Sequence, residues 1–203
     1  MSAKTHVAPL ALDEIADPEL RALVERCAGL GVPDTLFPRI LARVPNYAKA
    51  ILRAMLHSHY EGNVDHGLKE IMRVQLARFA GDPYFAGLRS QRALAAGLDE
   101  ATVAAGSGDY DDDPRFSEAE RVALRYSDQM YLDPNKVDRA FYDEMKRHFS
   151  EAEIMELGAF IALHYGMQVF MRTLGRAAQG RSDDVAAQRR DGRDGVVSAD
   201  GCD

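Results

Sequence analysis

The sequence predicts an all-α fold built from antiparallel helix hairpins. Apolar residues recur at helical spacing along most of the chain, whereas the alternating apolar and polar runs that are typical of strands are short, and β-branched residues are sparse. The 203 residues, of which 46% are hydrophobic and 28% charged, have the composition of an ordinary globular protein. We therefore predict a single helical domain over residues 1–179.

Helical periodicity, together with start and stop signals, predicts the individual elements. The predicted helices span residues 18–28, 35–43, 46–60, 65–80, 83–96, 99–105, 117–131, 136–149 and 151–178. Two of them begin with a capping box, Ser117 with Glu120 and Ser150 with Glu153, in which each side chain satisfies a free backbone N–H group. Gly97 suits a left-handed C-terminal stop.

Two segments lack helical patterning. Residues 106–114 form an acidic, turn-rich connector that we expect to separate two halves of the helical domain. Residues 180–203 are rich in Arg, Asp and Gly and offer little apolar surface to bury, which predicts a disordered C-terminal tail.

Charge and hydropathy argue against two classes of partner. The net charge of −7 disfavours nucleic acid and an anionic membrane. No apolar segment typical of a signal peptide follows the first residues. The longest apolar stretch, residues 154–171, is interrupted by Glu156, His164 and Gln168, so a buried helix fits it better than a membrane span. We expect a cytoplasmic protein with no nucleic-acid or membrane partner.

A candidate site lies in residues 68–90, LKEIMRVQLARFAGDPYFAGLRS. This segment resembles the core motif of the carboxymuconolactone decarboxylase/alkylhydroperoxidase D-like (AhpD-like) family, in which a helix-start Glu is followed by Cys-x-x-Cys and then His. With Glu70 as the family glutamate, Asp82 and Phe85 fall at the cysteine positions and Arg89 at the histidine position. Flanking Gly-Val-Pro and Glu-Ile-Met-Glu-Leu patterns extend the resemblance over residues 30–175.

The resemblance implies a homo-oligomer, a trimer or hexamer, with sites near subunit contacts and a small-molecule substrate. The departures from the motif matter equally. Peroxidase members use a cysteine thiolate, and Asp82 and Phe85 cannot form a disulfide. Cys27 and Cys202 do not replace the missing pair by position, and the decarboxylase branch commonly keeps a His where this chain has Arg89.

The same segment supplies candidate catalytic and substrate-binding residues. Arg89 offers a planar fork of donors for a substrate carboxylate. Glu70 could act as a general base if burial raised its pKa, and Tyr84 could donate a proton. Asp82 and Phe85 are candidate substrate contacts. The alternative is that Arg89 forms a structural ion pair with Glu70 or Asp82.

Helical periodicity predicts different environments for two polar residues of the segment, Glu70 and Gln75. Glu70 lies nearly opposite the apolar face of its helix, so it is predicted to face solvent unless a neighbouring helix or subunit covers it. Gln75 lies at the centre of that face and is predicted to make a core hydrogen bond or to be a site residue. The apolar face consists of Leu68, Ile71, Met72, Leu76 and Phe79.

The last helix carries Glu156, His164 and Gln168 in an otherwise apolar stretch. They are candidates for a polar stripe that lines a pocket or a subunit junction and binds substrate. The alternative is that they are satisfied core residues. If a pocket exists, His164 is a candidate acid or base, because an ordinary histidine titrates near neutral pH.

A cluster of histidines, His57, His59 and His66, precedes Glu70. His66 and Glu70 have the i,i+4 spacing of some zinc or iron ligands, but the pattern is weak and we predict no metal site. No dinucleotide-binding glycine motif, phosphate loop or Gly-x-Ser-x-Gly motif is present, so we predict no cofactor.

Three functions remain open at this point. The first is a cofactor-independent lyase, decarboxylase or isomerase that acts on a small carboxylate or lactone. The second is a peroxidase-like oxidoreductase, which the resemblance implies and the missing cysteines disfavour. The third is a non-catalytic oligomer that binds a small ligand.

Overall fold

The computed structural model describes residues 5–175, and within them it contains helices and no strand. The all-α prediction is therefore confirmed. The helices are α1 (Pro18–Leu30), α2 (Leu36–Leu41), α3 (Pro45–Tyr60), α4 (His66–Phe79), α5 (Pro83–Gly87), α6 (Gln91–Ala95), α7 (Glu100–Ala105), α8 (Glu118–Leu132), α9 (Arg139–Met145) and α10 (Glu151–Thr173), with a short 3-10 turn at Pro134–Lys136.

The predicted local signals are present. Ser117 and Ser150 form capping boxes with Glu120 and Glu153 at the starts of α8 and α10. Gly97, with a φ of 94°, adopts the left-handed conformation after α6. These signals depend only on neighbours in the sequence, which is why the sequence is sufficient to find them.

The single helix predicted over residues 83–96 is wrong, because the chain leaves helical conformation between α5 and α6. Leu88 has an extended backbone, and Ser90 is the N-cap of α6, with its hydroxyl accepting from the Ala93 N–H. The carbonyl groups of Phe85 and Leu88 are bound by a side chain of α4 instead of continuing a helical ladder. This break brings the residues after α5 over α4.

The helix predicted over residues 136–149 is also shorter than expected. A 3-10 turn at Pro134–Lys136 precedes α9, and Asp138 starts α9 by accepting from the Phe141 N–H at 2.9 Å. The last helix ends at Thr173. The final residues predicted for it, and the predicted tail over residues 180–203, lie outside the described residues.

Two apolar clusters form the core, and α4 and α10 contribute to both. The first cluster joins these two helices to α1, α2, α3 and α5. The second joins them to α8 and α9. Representative members of the first are Val24, Phe37, Leu52, Met55 and Phe85, and of the second Ile71, Met72, Leu124, Leu157 and Phe160. Because α4 is covered on most sides, its polar residues are buried as well, and they form the candidate site.

Among the described helices, α10 is the one that length and composition would allow to cross a membrane. Its buried side, however, carries His164 and Gln168 packed into the bundle.

Candidate functional site

Glu70 lies at the centre of a buried polar network. Its side chain is fully buried, although helical periodicity predicted a solvent-facing position. Arg73 donates from Nε to Oε2 and from Nη2 to Oε1, each at 2.8 Å, and the Ser90 N–H donates to Oε1 at 2.9 Å. The periodicity-based prediction is wrong because neighbouring segments of the same chain, rather than another subunit, cover this side of α4.

Arg73 is the site residue that the sequence analysis missed. It is fully buried, and beyond Glu70 it donates to the carbonyl groups of Phe85 at 2.6 Å and Leu88 at 2.7 Å. The Gln168 side chain in turn donates to the Arg73 backbone carbonyl at 3.0 Å. The i,i+3 spacing of Glu70 and Arg73 in the sequence was the available signal.

The Glu70–Arg73 pair changes the expected chemistry of Glu70. Burial alone would raise the pKa of this carboxyl group. The charge and hydrogen bonds of Arg73, with a further contribution from His59, outweigh burial and hold the pKa well below its usual range. The expectation that burial would raise the pKa of Glu70 is therefore wrong, and as a permanently ionised group it is a poor general base at neutral pH.

His59 covers the other side of Glu70. Its Nε2 atom lies 3.0 Å from Glu70 Oε2, close enough for an electrostatic contact, although the direction departs from that of a straight hydrogen bond. Neither ring nitrogen has a well-aligned hydrogen bond to the described residues. Burial lowers the pKa of His59 to about 4 even though Glu70 opposes this shift, so the imidazole is neutral at pH 7.

His66 links α3 to the break between α5 and α6. Its Nδ1 lies 2.9 Å from the His59 carbonyl oxygen and its Nε2 lies 2.8 Å from the Ser90 hydroxyl. A carbonyl only accepts, so Nδ1 carries the proton and Nε2 accepts from the Ser90 hydroxyl. Burial lowers the pKa of His66, which favours this neutral form.

His164 lies on the far side of His59, with 5.6 Å between ring centroids. Its Nε2 is 3.1 Å from the Ser58 hydroxyl, which itself donates to the Met55 carbonyl. Burial, with the nearby His59 as a further cause, lowers the pKa of His164 well below its ordinary value. It is thus a neutral core histidine in the folded protein, rather than a group that titrates near pH 7.

The other polar residues of α4 and α10 have structural partners. Glu156 accepts from Lys69 at 2.8 Å and from the backbone N–H groups of Asn63 and Val64. Gln75 donates to Asp128 at 2.6 Å, the core hydrogen bond that was predicted as one alternative. A role for Glu156 and Gln168 in substrate binding stays a prediction.

Asp82 has a buried carboxyl oxygen without a partner, as Gln75 and Gln168 each have a buried amide oxygen without one. It is the N-cap of α5, and its Oδ1 accepts from the Tyr84 N–H at 3.0 Å. Its Oδ2 is buried without a hydrogen-bond partner among the described residues. Burial raises the pKa of Asp82 to about 6, opposed by the N–H groups of Tyr84 and Phe85 and by the charge of Arg73.

Tyr84 and Phe85 hold α5 against α2 and the residues just before it. The Tyr84 hydroxyl donates to the carboxylate of Asp34 and accepts from the Phe37 N–H. Phe85 packs edge-on against the ring of Phe37, with the centroids 5.5 Å apart. The contacts of Tyr84 and Phe85 thereby fix the turn that carries Asp82.

Arg89 does not pair with either predicted partner. Its Nε and Nη2 donate to the two carboxylate oxygens of Glu100, each at 2.8 Å, and its Nη1 donates to the carbonyls of Ala86 and Leu88. The predicted ion pair with Glu70 or Asp82 is wrong, because Arg73 has taken that place. The Arg89 side chain is 9% exposed whereas that of Glu100 is 66% exposed, so the Arg89 fork is mostly covered and reaches the surface through its carboxylate partner.

His57, the third histidine of the predicted cluster, and Cys27 take no part in this network. His57 is 74% exposed and pairs with Glu61 at 2.8 Å. Among residues 5–175, no three His, Cys, Asp or Glu side chains are arranged to hold a metal ion. Burial raises the pKa of the Cys27 thiol to about 12, which is the opposite of what a nucleophilic thiolate needs. Cys202 lies outside the described residues.

No protein-family model and no curated protein matches this sequence. Solved structures do share its fold. A cysteine-to-alanine variant of the debrominase Bmp8, in complex with 2,3,4-tribromopyrrole, has a TM-score of 0.72 and 19% identity over 94% of this chain and 99% of its own. An alkylhydroperoxidase AhpD core protein from Ralstonia eutropha, an uncharacterized peroxidase-related protein, has a TM-score of 0.71 and 13% identity, covering 88% of this chain and 95% of its own.

A peroxidase-related protein from a Silicibacter species has a TM-score of 0.67 and 15% identity, covering 88% of this chain and 96% of its own. Together these similarities show that the chain has the AhpD-like fold, as the resemblance in residues 68–90 implied. At such identities they describe the architecture and leave its chemistry to the residues of the site.

The buried pair should dominate stability at this site. Replacing Arg73 by Met leaves the Glu70 carboxylate buried without its partner, and we expect the free energy of unfolding to fall by about 3–5 kcal/mol. The double variant Glu70→Gln/Arg73→Met should lose much less than the sum of the two single variants. Urea unfolding measures these values, with the exposed-pair variant Arg53→Met as control at less than about 1 kcal/mol. Additive losses would contradict the assigned coupling.

The raised pKa of Asp82 predicts a pH-dependent penalty on stability. Between the ordinary Asp pKa of 3.8 and the folded value of about 6, the folded protein binds more protons at this group than the unfolded chain does. Stability from this group therefore falls as pH rises through that window. Asp82→Asn removes the penalty, so its unfolding free energy relative to the wild type should increase between pH 4 and 6.5. A difference that is constant with pH would disprove the shift.

Proposed function

We propose that the protein is a cofactor-independent acid–base enzyme, of the lyase, decarboxylase or isomerase type, that acts on a small carboxylate or lactone. Asp82 is the group that transfers the proton. The observation that carries this proposal is the Oδ2 atom of Asp82, a buried carboxyl oxygen without a hydrogen-bond partner among the described residues. Buried polar atoms are nearly always satisfied, and exceptions are frequent at functional positions.

The electrostatic setting of Asp82 supports this role. A carboxyl group with a pKa of about 6 exists in both protonation states near neutral pH, so it can both accept and return a proton. Arg73 would favour the ionised form, but Glu70 neutralises most of its charge. The Tyr84 N–H on Oδ1 orients the carboxyl group and leaves Oδ2 for a substrate.

Glu70 takes a different role from the one first expected. Its low pKa removes it as a base, and it instead holds Arg73, which holds the carbonyls on both sides of the α5–α6 break. In this proposal Glu70 and Arg73 are positioning residues. Tyr84, whose hydroxyl is committed to Asp34, fixes the same turn.

Arg89 is the proposed anchor for a substrate carboxylate. Its fork already binds a carboxylate in bidentate geometry, that of Glu100. Since Glu100 is largely exposed, a substrate carboxylate can take its place with the same two hydrogen bonds. The debrominase variant, which has the same fold, is in complex with a small aromatic molecule, and this supports a small substrate.

A thiol peroxidase is disfavoured by the same geometry. Asp82 and Phe85 occupy the positions at which the resembled family has its cysteine pair, and Cys27 is a buried thiol with a raised pKa. We further propose that the protein is cytoplasmic and that it forms a homo-oligomer, a trimer or hexamer, of which only the oligomer is implied by the resemblance.

The proposed proton transfer is tested by turnover. Small carboxylates and lactones are first screened by NMR for conversion by the wild type, and the best substrate is then given to Asp82→Asn. We expect turnover to fall about 100- to 10,000-fold, since an amide cannot carry the proton. Asp138→Asn is the matched control, because Asp138 is likewise a helix N-cap, that of α9. Full activity in Asp82→Asn would sink the proposal.

The anchor is tested by binding. Arg89→Ala should weaken the binding of the same carboxylate about 10- to 100-fold, measured by calorimetry, since it removes charge-assisted hydrogen bonds. Arg53→Ala, which changes an exposed arginine on α3, should leave binding unchanged. Equal affinity in Arg89→Ala would exclude Arg89 as anchor without affecting the assignment of Asp82.

A further inference from the structure

Three histidines from three helices meet inside the bundle. His59 of α3, His66 of α4 and His164 of α10 are all buried. The ring centroid of His59 lies 4.7 Å from that of His66 and 5.6 Å from that of His164. We call these three residues the histidine cluster. Since α4 and α10 contribute to both apolar clusters of the core and α3 to the first, the histidine cluster joins the helices on which the fold depends.

Aromatic side chains pack against the histidine cluster. The ring centroid of Tyr60 lies 4.6 Å from that of His59 and 4.9 Å from that of His66, and the ring centroid of Phe160 lies 4.2 Å from that of His164. A proton added here creates a charge that has lost most of its water. Burial is accordingly the largest cause that lowers the pKa of each of the three histidines.

The carboxylate that faces the histidine cluster, that of Glu70, is already engaged. Both of its oxygens accept from Arg73, and Oε1 also accepts from the Ser90 N–H. In the described part of the chain, the charged and titratable groups that face the histidine cluster are Tyr60 of α3, Lys69, Glu70 and Arg73 of α4, and Arg92 of α6, and Lys69 is paired in turn with Glu156 of α10. Three cations thus oppose a further positive charge, and one carboxylate favours it.

We propose that the histidine cluster is an acid-sensitive switch, which holds α3, α4 and α10 together while its imidazoles are neutral and lets these helices separate when acidification charges them. Since α4 also carries Glu70 and Arg73, their separation takes apart the buried ion pair as well. The switch is independent of the proposed catalytic function, because it needs only the packing of the three helices.

The direction of the switch follows from where protons bind. In the unfolded chain each histidine is exposed to water and titrates at the ordinary histidine pKa of 6.5, whereas burial lowers the pKa of all three in the folded protein. As the pH falls through 6.5, the unfolded chain therefore takes up protons that the folded chain does not, and stability falls. Asp82 opposes this trend, since its raised pKa favours the folded state in acid, but it is a single group.

The contact between the rings makes the switch steep. A proton on one ring disfavours a proton on its neighbour, so the folded protein stays uncharged until it opens and the open chain then takes up three protons. Between pH 7.5 and 5.5 the equilibrium constant for unfolding should rise about tenfold for each histidine that stays neutral in the fold, and up to about 1,000-fold for the whole cluster.

Urea unfolding at pH 7.5 and 5.5 measures this effect as the ratio of the two unfolding constants. A variant that is less stable at both pH values still gives a valid ratio. His164→Leu leaves the Ser58 hydroxyl bonded to the Met55 carbonyl and should lower the ratio about tenfold. His57→Leu removes an exposed histidine from the same helix as His59 and should leave the ratio unchanged. An equal ratio in the wild type and His164→Leu would overturn the proposal.

NMR and circular dichroism of the wild type test the switch without a core substitution. As the pH is lowered from 7.5 to 4, the imidazole signals of the histidine cluster should keep their neutral positions and then be replaced by the signals of charged histidines in the open chain. Helical circular dichroism should fall over the same range and recover at pH 7.5. A gradual titration of these signals in the folded protein would contradict the proposal, as would a chain that stays folded at pH 4 or a loss of helix that does not recover.

Discussion

The buried ion pair between Glu70 and Arg73 is the interaction on which the rest of the site depends. Two charges removed from water cost several kcal/mol each, and a pair persists only when nearly every donor and acceptor is used. Here both carboxylate oxygens of Glu70 accept hydrogen bonds from Arg73, and Oε1 also accepts from the Ser90 N–H. Arg73 also donates to the carbonyls of Phe85 and Leu88. The chain between α5 and α6 is therefore shaped by a side chain of α4.

The same pair sets the protonation of its surroundings. Because Glu70 and Arg73 compensate one another, neither imposes a full charge on the imidazoles beside them, and burial keeps His59 and His164 neutral. The compensation also explains why Asp82 keeps a raised pKa within reach of an arginine. Asp82 is thus a carboxyl group with a raised pKa and a buried oxygen that has no hydrogen-bond partner among the described residues.

The sequence predicted what depends on local neighbours and missed what depends on packing. Capping boxes and helical periodicity located most helices. The buried position of Glu70 was missed because periodicity assumes one covered face, whereas α4 is covered on most sides. The break after α5 was missed because no residue near Leu88 in the sequence indicates that its carbonyl accepts from Arg73, fifteen residues away. The sequence analysis offered Glu70 as a possible partner of Arg89, whereas in the structure Glu70 pairs with Arg73.

The position of Asp82 shows how one backbone site can support different chemistry. A helix N-terminus offers N–H groups that stabilise an anion, and at such a position a cysteine becomes a reactive thiolate. One oxygen of Asp82 accepts from the Tyr84 N–H, but burial of the carboxyl group outweighs this hydrogen bond, so its pKa rises instead of falling. A carboxyl group at this position exchanges a proton near neutral pH. On this reasoning the position at which the resembled family has a cysteine is, with Asp82 in its place, suited to the proton transfer that we propose, with the buried pair of α4 beneath it.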